Sequence, residues 1–280
     1  MIFHQKPATY VSHVHLLVEN VEQSLSFYED ILGFAVLEKK GGEAVLTLDG
    51  NKPILTLEQP EGVKPRQKRT TGLYHFALLV PSRKELAKTV QHLINVQYPL
   101  QGASDHLVSE ALYLADPDGH GIEIYRDRDA SEWPWNGEQI MMATEALDVR
   151  GLLEEAVGES FKGLSKDTMM GHIHLHVANI EKSQEFYGAL GFQPVSRYGS
   201  QALFVSTENY HHHIGLNTWN GEGAPAPELN TVGMKHYTMV FADEAARSEA
   251  ITRLESHGFK AGGYRAVDPA GNVIELAVSE

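Results

Sequence analysis

The 280-residue sequence contains no cysteine. That excludes disulfides, thiolate nucleophiles and sulfur ligation of a metal. Any metal must then be held by histidine and carboxylate, which suits a harder or borderline ion such as Fe(II), Mn(II) or Zn(II). No apolar run approaches the roughly 18 residues that a membrane span requires. The first residues, Met1-Ile2-Phe3-His4-Gln5-Lys6, lack the apolar core of a secretory signal. The expectation is a cytoplasmic protein without a membrane partner. Positive charge is scarce as well: 23 Lys and Arg stand against 37 Asp and Glu, for a net charge of −14. Such a chain repels phosphates, which argues against a nucleic-acid partner. What is present is an ordinary globular balance, 42% hydrophobic and 21% charged, in a length that suits two domains. Fifteen histidines complete the inventory, and their placement carries the argument.

The chain repeats itself. Ser12-His13-Val14-His15-Leu16-Leu17-Val18 matches Gly171-His172-Ile173-His174-Leu175-His176-Val177. Each stretch continues to a Phe-Tyr pair (Phe27-Tyr28, Phe186-Tyr187) and then to Leu-Gly-Phe (32–34, 190–192). A second pair lies between and after them: Tyr74-His75-Phe76-Ala77-Leu78 and Lys235-His236-Tyr237-Thr238-Met239. Both run into Asp-Pro-x-Gly turns at 116–119 and 268–271, and then into Gly121-Ile122-Glu123-Ile124 and Val273-Ile274-Glu275-Leu276. Proline presets φ in such turns and glycine admits positive φ.

Four units follow, starting near residues 10, 72, 169 and 233. Each opens on an alternating strand. An amphipathic helix comes next, as in Val21, Leu25, Tyr28 and Leu32, with Gly258 a C-cap in the last unit. Short strands complete each unit, at 44–48 and 54–57 in the first and at 202–206 and 214–218 in the third. The expected fold is α+β: four βαβββ units in two domains, each a cup-shaped mixed sheet with helices outside. The domains are placed at 1–126 and 169–280, joined by a linker over 127–168 with a helix at 148–157.

Alternate strand residues share a face. In all four opening strands the apolar set lies on one face, and His13, His75, His172 and His236 lie on the other, at one equivalent position. A single strand histidine is ordinarily a polar residue on a wet face; four at one position point to ligation. Each half also ends on a glutamate between apolar neighbours, Glu123 or Glu275. Burying such a carboxylate is costly unless it is paired or ligated.

The repeat resembles the vicinal oxygen chelate superfamily, which includes glyoxalase I, fosfomycin-resistance enzymes and extradiol (catechol 2,3-) dioxygenases. The resemblance covers nearly the whole chain except the linker. Four units in one chain is the arrangement of the two-domain extradiol dioxygenases, whose iron lies in the C-terminal half. Carried over, it implies a metal held by His172, His236 and Glu275. Fe(II) is the expected ion, with Mn(II) or another divalent ion as alternatives. Glyoxalase-type members add a carboxylate where this chain has Thr56 and Gly215, with Glu58 two residues on, and its loss favours an open three-ligand site.

The resemblance further implies His212 as acid–base catalyst, from the cluster His211-His212-His213, with Tyr264 bonding a substrate oxygen. His174, His176 and His213 are expected to line the cup. The family's tyrosine ten residues before the triad glutamate is Arg265 in the C-terminal half, whereas Tyr113 does stand ten residues before Glu123. His13, His75 and Glu123 are therefore an alternative or second metal site. The implied activity is ring cleavage of a catechol-type aromatic with O2. The alternatives are a glyoxalase-like lyase or isomerase, an epoxide-opening transferase, or a metal-free ligand-binding resistance module. Self-association into a homo-oligomer is left open.

Overall fold

The computed structural model describes residues 3–279. The first unit runs β1 (Tyr10–Leu17), α1 (Val21–Ser26) continued by a wider helical turn to residue 31, β2 (Ala35–Lys40), β3 (Glu43–Thr47) and β4 (Leu55–Glu58). The second runs β5 (Gly72–Leu79), α2 (Arg83–Asn95), β6 (Leu100–Asp105), β7 (Ser109–Ala115) and β8 (Gly121–Asp127). The connecting segment holds β9 (Trp135–Asn136), β10 (Gln139–Ile140), β11 (Glu145–Ala146) and α3 (Val149–Glu154). The third unit comprises β12 (Met169–His176), α4 (Ile180–Ala189), β13 (Gln193–Tyr198), β14 (Ala202–Ser206) and β15 (Ile214–Asn217). The fourth comprises β16 (Gly233–Phe241), α5 (Glu244–Ser256), β17 (Ala261–Gly262), β18 (Arg265–Val267) and β19 (Val273–Val278). The fold is α+β, built on four βαβββ units.

Local chemistry explains the helix limits. Each unit helix starts on a side chain that accepts a backbone N–H three residues on: Asn20 from Gln23, Ser82 from Glu85, Asn179 from Lys182 and Asp243 from Ala246. Such caps contribute about 1 kcal/mol each. Beyond α5, Gly258 takes φ +77°, which a side chain would resist. No helix among the described residues is long and apolar enough to cross a membrane.

Each sheet takes strands from both halves of the chain. One sheet has the order β17-β18-β19-β16-β1-β4-β3-β2, so it joins units one and four. The other, β11-β6-β7-β8-β5-β12-β15-β14-β13, joins units two and three. The seams are antiparallel: β1 pairs with β16, placing Val14 opposite Tyr237, and β5 pairs with β12, placing Phe76 opposite Ile173. These apolar partners are fully buried, in one core shared by the helices of all four units. Helix-to-turn contacts still join units within a half. Tyr28 donates to Asp116 at 3.0 Å, and Tyr187 donates to Asp268 at 3.0 Å. The Asp-Pro-x-Gly turns are thus pinned by a tyrosine from the preceding unit, while each half lends one unit to each sheet.

Candidate metal centre and catalytic cavity

At the seam of units two and three, Ala77 is the middle of a three-strand row. It pairs with Glu123 of β8 on one side and His172 of β12 on the other. His75 lies two residues before Ala77, on the same face. The small alanine side chain leaves room for three larger groups to meet over it. His75 Nε2 is 3.0 Å and His172 Nε2 is 3.2 Å from Glu123 Oε2. All three side chains are buried, and their donor atoms lie within 4.8 Å of one another.

The electrostatics fit a cation. Burial works to raise the Glu123 carboxyl, but His172 and His75 outweigh it and hold it well below the usual carboxylate range. Burial lowers the His172 imidazole to about 4, against the pull of Glu123, so the ring is neutral near pH 7 with a lone pair to give. His75 Nε2 is buried without a hydrogen bond of acceptable geometry despite its short approach to Glu123. Two imidazoles and one carboxylate on one side of an ion form the donor set that suits a non-haem divalent metal and leaves positions open.

A cavity of about 570 Å³ is lined by His75 and Glu123 of the trio, a size in the range of small-molecule sites. His212 and His174 line it, with Phe204 and Trp219 on one side and Tyr113 and His106 on the other. Tyr113 is there because β7 pairs it directly with Glu123. Burial and the Glu123 charge push its phenol well up, so it stays protonated, and its hydroxyl lies 2.7 Å from His106 Nε2. The His212 ring centre is 4.1 Å from that of His172. Burial, reinforced by His172 and His211, pushes the His212 imidazole well below its ordinary value. Gly215 pairs with His174, and a Cβ at 215 would come within 2.8 Å of that imidazole. No carboxylate is offered there.

The expected ligand sets exchange one histidine. His236 and Glu275 belong to the other sheet, where His13 joins them; the chain brings together His75, Glu123 and His172 instead. The physical reason is the seam, which pairs β12 with β5 rather than with β16. The second seam repeats the register, with Thr238 between His13 and Glu275, but its groups are engaged elsewhere. Glu275 forms an ion pair with Arg265 at 2.6 Å, and His13 Nε2 lies 2.8 Å from Thr56 Oγ1. His236 Nε2 stays 3.6 Å from Glu275, whose side chain is 35% exposed against 4% for Glu123. Among the described residues, this trio is not one of the convergent ligand groups.

Other expectations separate in the same way. His174 and His212 reach the cavity. Tyr264 does not: it is exposed, beneath the Arg247 guanidinium at 4.1 Å, because it precedes Arg265 in the other sheet. His213 is buried away from the cavity, with Nε2 3.0 Å from the Phe3 carbonyl oxygen. His176 bonds Asn217 at 2.7 Å. Sequence reasoning passed over His106 and Asp127. The spacing of Tyr113 from Glu123 was the signal that could have singled out the glutamate that meets two histidines.

Comparison with known proteins gives the family and the fold. The profile of the Glyoxalase/Bleomycin resistance protein/Dioxygenase superfamily matches residues 10–124 and 169–276. A catechol-2,3-dioxygenase of Bacillus subtilis is 43% identical over 269 residues, covering 93% of this chain and 94% of its own. A 2,2',3-trihydroxybiphenyl dioxygenase of Sphingomonas paucimobilis is 28% identical, covering 83% of this chain and 70% of its own. The fold is that of glyoxalase I from Zea mays, with a TM-score of 0.58 at 15% identity, over 96% of this chain and 92% of that one.

Proposed function

Because the chain belongs to the Glyoxalase/Bleomycin resistance protein/Dioxygenase superfamily, we propose that it is a metal-dependent extradiol dioxygenase, cleaving catechol-type aromatics with O2 in the cytoplasm. The observation that carries this reading is the convergence of His75, Glu123 and His172 beside a cavity that His75 and Glu123 line together with His212, which does not belong to the trio. The three residues are the proposed ligands, and Fe(II) is the proposed ion, in keeping with a donor set of two imidazoles and a carboxylate and no sulfur. When bound, such an ion supplies Lewis acidity toward two adjacent phenolic oxygens and one-electron chemistry toward O2.

The chain's own groups do the remaining work. His212, neutral at physiological pH, accepts the proton that a catechol hydroxyl loses on binding and returns it as the ring opens. Tyr113, kept protonated, donates to His106 Nε2, because the Ala143 carbonyl 2.6 Å away holds the proton of His106 on Nδ1, and its oxygen is left to accept a hydrogen bond from a substrate hydroxyl. Phe204 and Trp219 enclose a flat ring and exclude water. At Gly215, where a glyoxalase-type site would carry a further carboxylate, the His174 imidazole fills the space instead.

The test is the reaction itself. Protein loaded anaerobically with Fe(II) should consume one O2 per catechol and form a yellow ring-opened semialdehyde. Isomerisation of a thiol adduct without O2 uptake would assign it to another chemistry of the same fold.

A further inference from the structure

Behind His212 runs a hydrogen-bonded line that reaches the protein surface. His212 Nδ1 lies 2.8 Å from His211 Nδ1, and His211 Nε2 lies 2.7 Å from Asp127 Oδ1. On its other oxygen Asp127 accepts from the Tyr210 hydroxyl at 3.0 Å, and Tyr210 lies 2.7 Å from the Tyr125 hydroxyl. His211, Tyr210 and Tyr125 are fully buried, and the Asp127 side chain is 21% exposed.

The donor and acceptor roles along this line follow from its end. A carboxylate can only accept, so His211 carries its proton on Nε2. A neutral His211 then presents a bare Nδ1, and the close Nδ1 of His212 must be the donor. That leaves the lone pair of His212 on Nε2, the nitrogen free to meet a substrate in the cavity. Two neighbouring imidazoles without Asp127 would have no such preference, because either could donate.

We propose that Asp127 and His211 are positioning residues that fix the tautomer and ring orientation of His212, so that its Nε2 faces the cavity as a base. The Tyr125–Tyr210 pair fixes Asp127 in turn. The backbone is built around this arrangement: a Cβ on Gly171, next to the ligand His172, would lie 2.0 Å from the Tyr125 hydroxyl. The triad of serine hydrolases shows what such a group can be worth, since replacing an aspartate that sets a histidine tautomer there costs roughly 10⁴-fold in turnover. With one more imidazole between the carboxylate and the base, the expected loss is on the order of 10²-fold.

The proposal rests on His212 as the acid–base group, and the experiment separates the two claims. His211→Leu, His212→Ala and the double variant are loaded with Fe(II). Metal content, anaerobic catechol affinity and kcat are then measured. His211→Leu should lose about 10²-fold in kcat with metal and catechol affinity unchanged, and should add nothing in the His212→Ala background. Asp127→Asn, altering a side chain that is partly solvent-exposed, should move kcat the same way and serves if His211→Leu does not fold. Normal kcat in Asp127→Asn and His211→Leu overturns the proposal while leaving His212 in place. So does a loss that multiplies with that of His212→Ala, or one matched by loss of metal. Normal turnover by His212→Ala alone refutes the acid–base reading beneath it.

Discussion

His75→Ala is expected to lose its metal and its turnover together, while His236→Ala keeps both. His75 is buried, 3.0 Å from Glu123, with an Nε2 that has no hydrogen bond; an alanine there leaves two ligands. If a tight site of about 10–16 kcal/mol is shared among three residues, each is worth on the order of 3–5 kcal/mol, or roughly 10²–10⁴-fold in affinity. The variant also leaves the buried Glu123 carboxylate with a single imidazole partner, which adds a stability cost of up to a few kcal/mol. Glu123→Ala should behave alike. His236 is spatially separate, on the sheet of units one and four, facing a glutamate already paired with Arg265. Its removal should change kcat by no more than about twofold, as a distant independent site would. Metal analysis of the two purified variants, with O2 uptake on catechol, checks the pair. Metal lost from His236→Ala and kept by His75→Ala would move the centre to the other sheet.

His212→Ala is expected to keep its metal and its affinity for catechol while losing about 10²–10⁴-fold in turnover, the usual worth of a general acid–base group. That range corresponds to about 3–5 kcal/mol of transition-state stabilisation. The direction of the pKa shift supports it: burial lowers the imidazole well below its ordinary value, so near pH 7 the ring holds a lone pair rather than a proton. Single-turnover measurements with preloaded catechol read the chemical step separately from binding. Loss of iron from this variant would make His212 a ligand. Normal turnover would make the histidine cluster a packing feature.

The four units were legible because each carries its signals locally. Apolar alternation in the opening strand acts within a few residues in every unit, and Asp-Pro-x-Gly before the last strand does so in the second and fourth. The choice of partner strand was not. β12 must bury Ile173 and Leu175 against a neighbouring strand with the same alternation, and β5 and β16 both offer it, with a histidine at the same position. Nothing within either strand distinguishes Phe76 from Tyr237 as the partner of Ile173. The side chains that do distinguish the seams come from strands that follow: Tyr113 against Glu123, and Arg265 against Glu275. A tyrosine beside the glutamate leaves it for a metal, whereas an arginine occupies it. The sequence grouped the histidine cluster with His172, which lies beside it, but also with His236 and Glu275, which lie in the other sheet. His213 and Tyr264 went astray because loop residues have no fixed alternation from which to read a face.

The central claim is that one metal lies at the seam of units two and three. Anomalous diffraction from crystals of the Fe(II)-loaded protein, collected across the iron edge, tests it directly. The account predicts one peak per chain, roughly 2.0–2.3 Å from His75 Nε2, His172 Nε2 and a Glu123 oxygen, and none between His13, His236 and Glu275. A peak at that second trio with none at the first would contradict it.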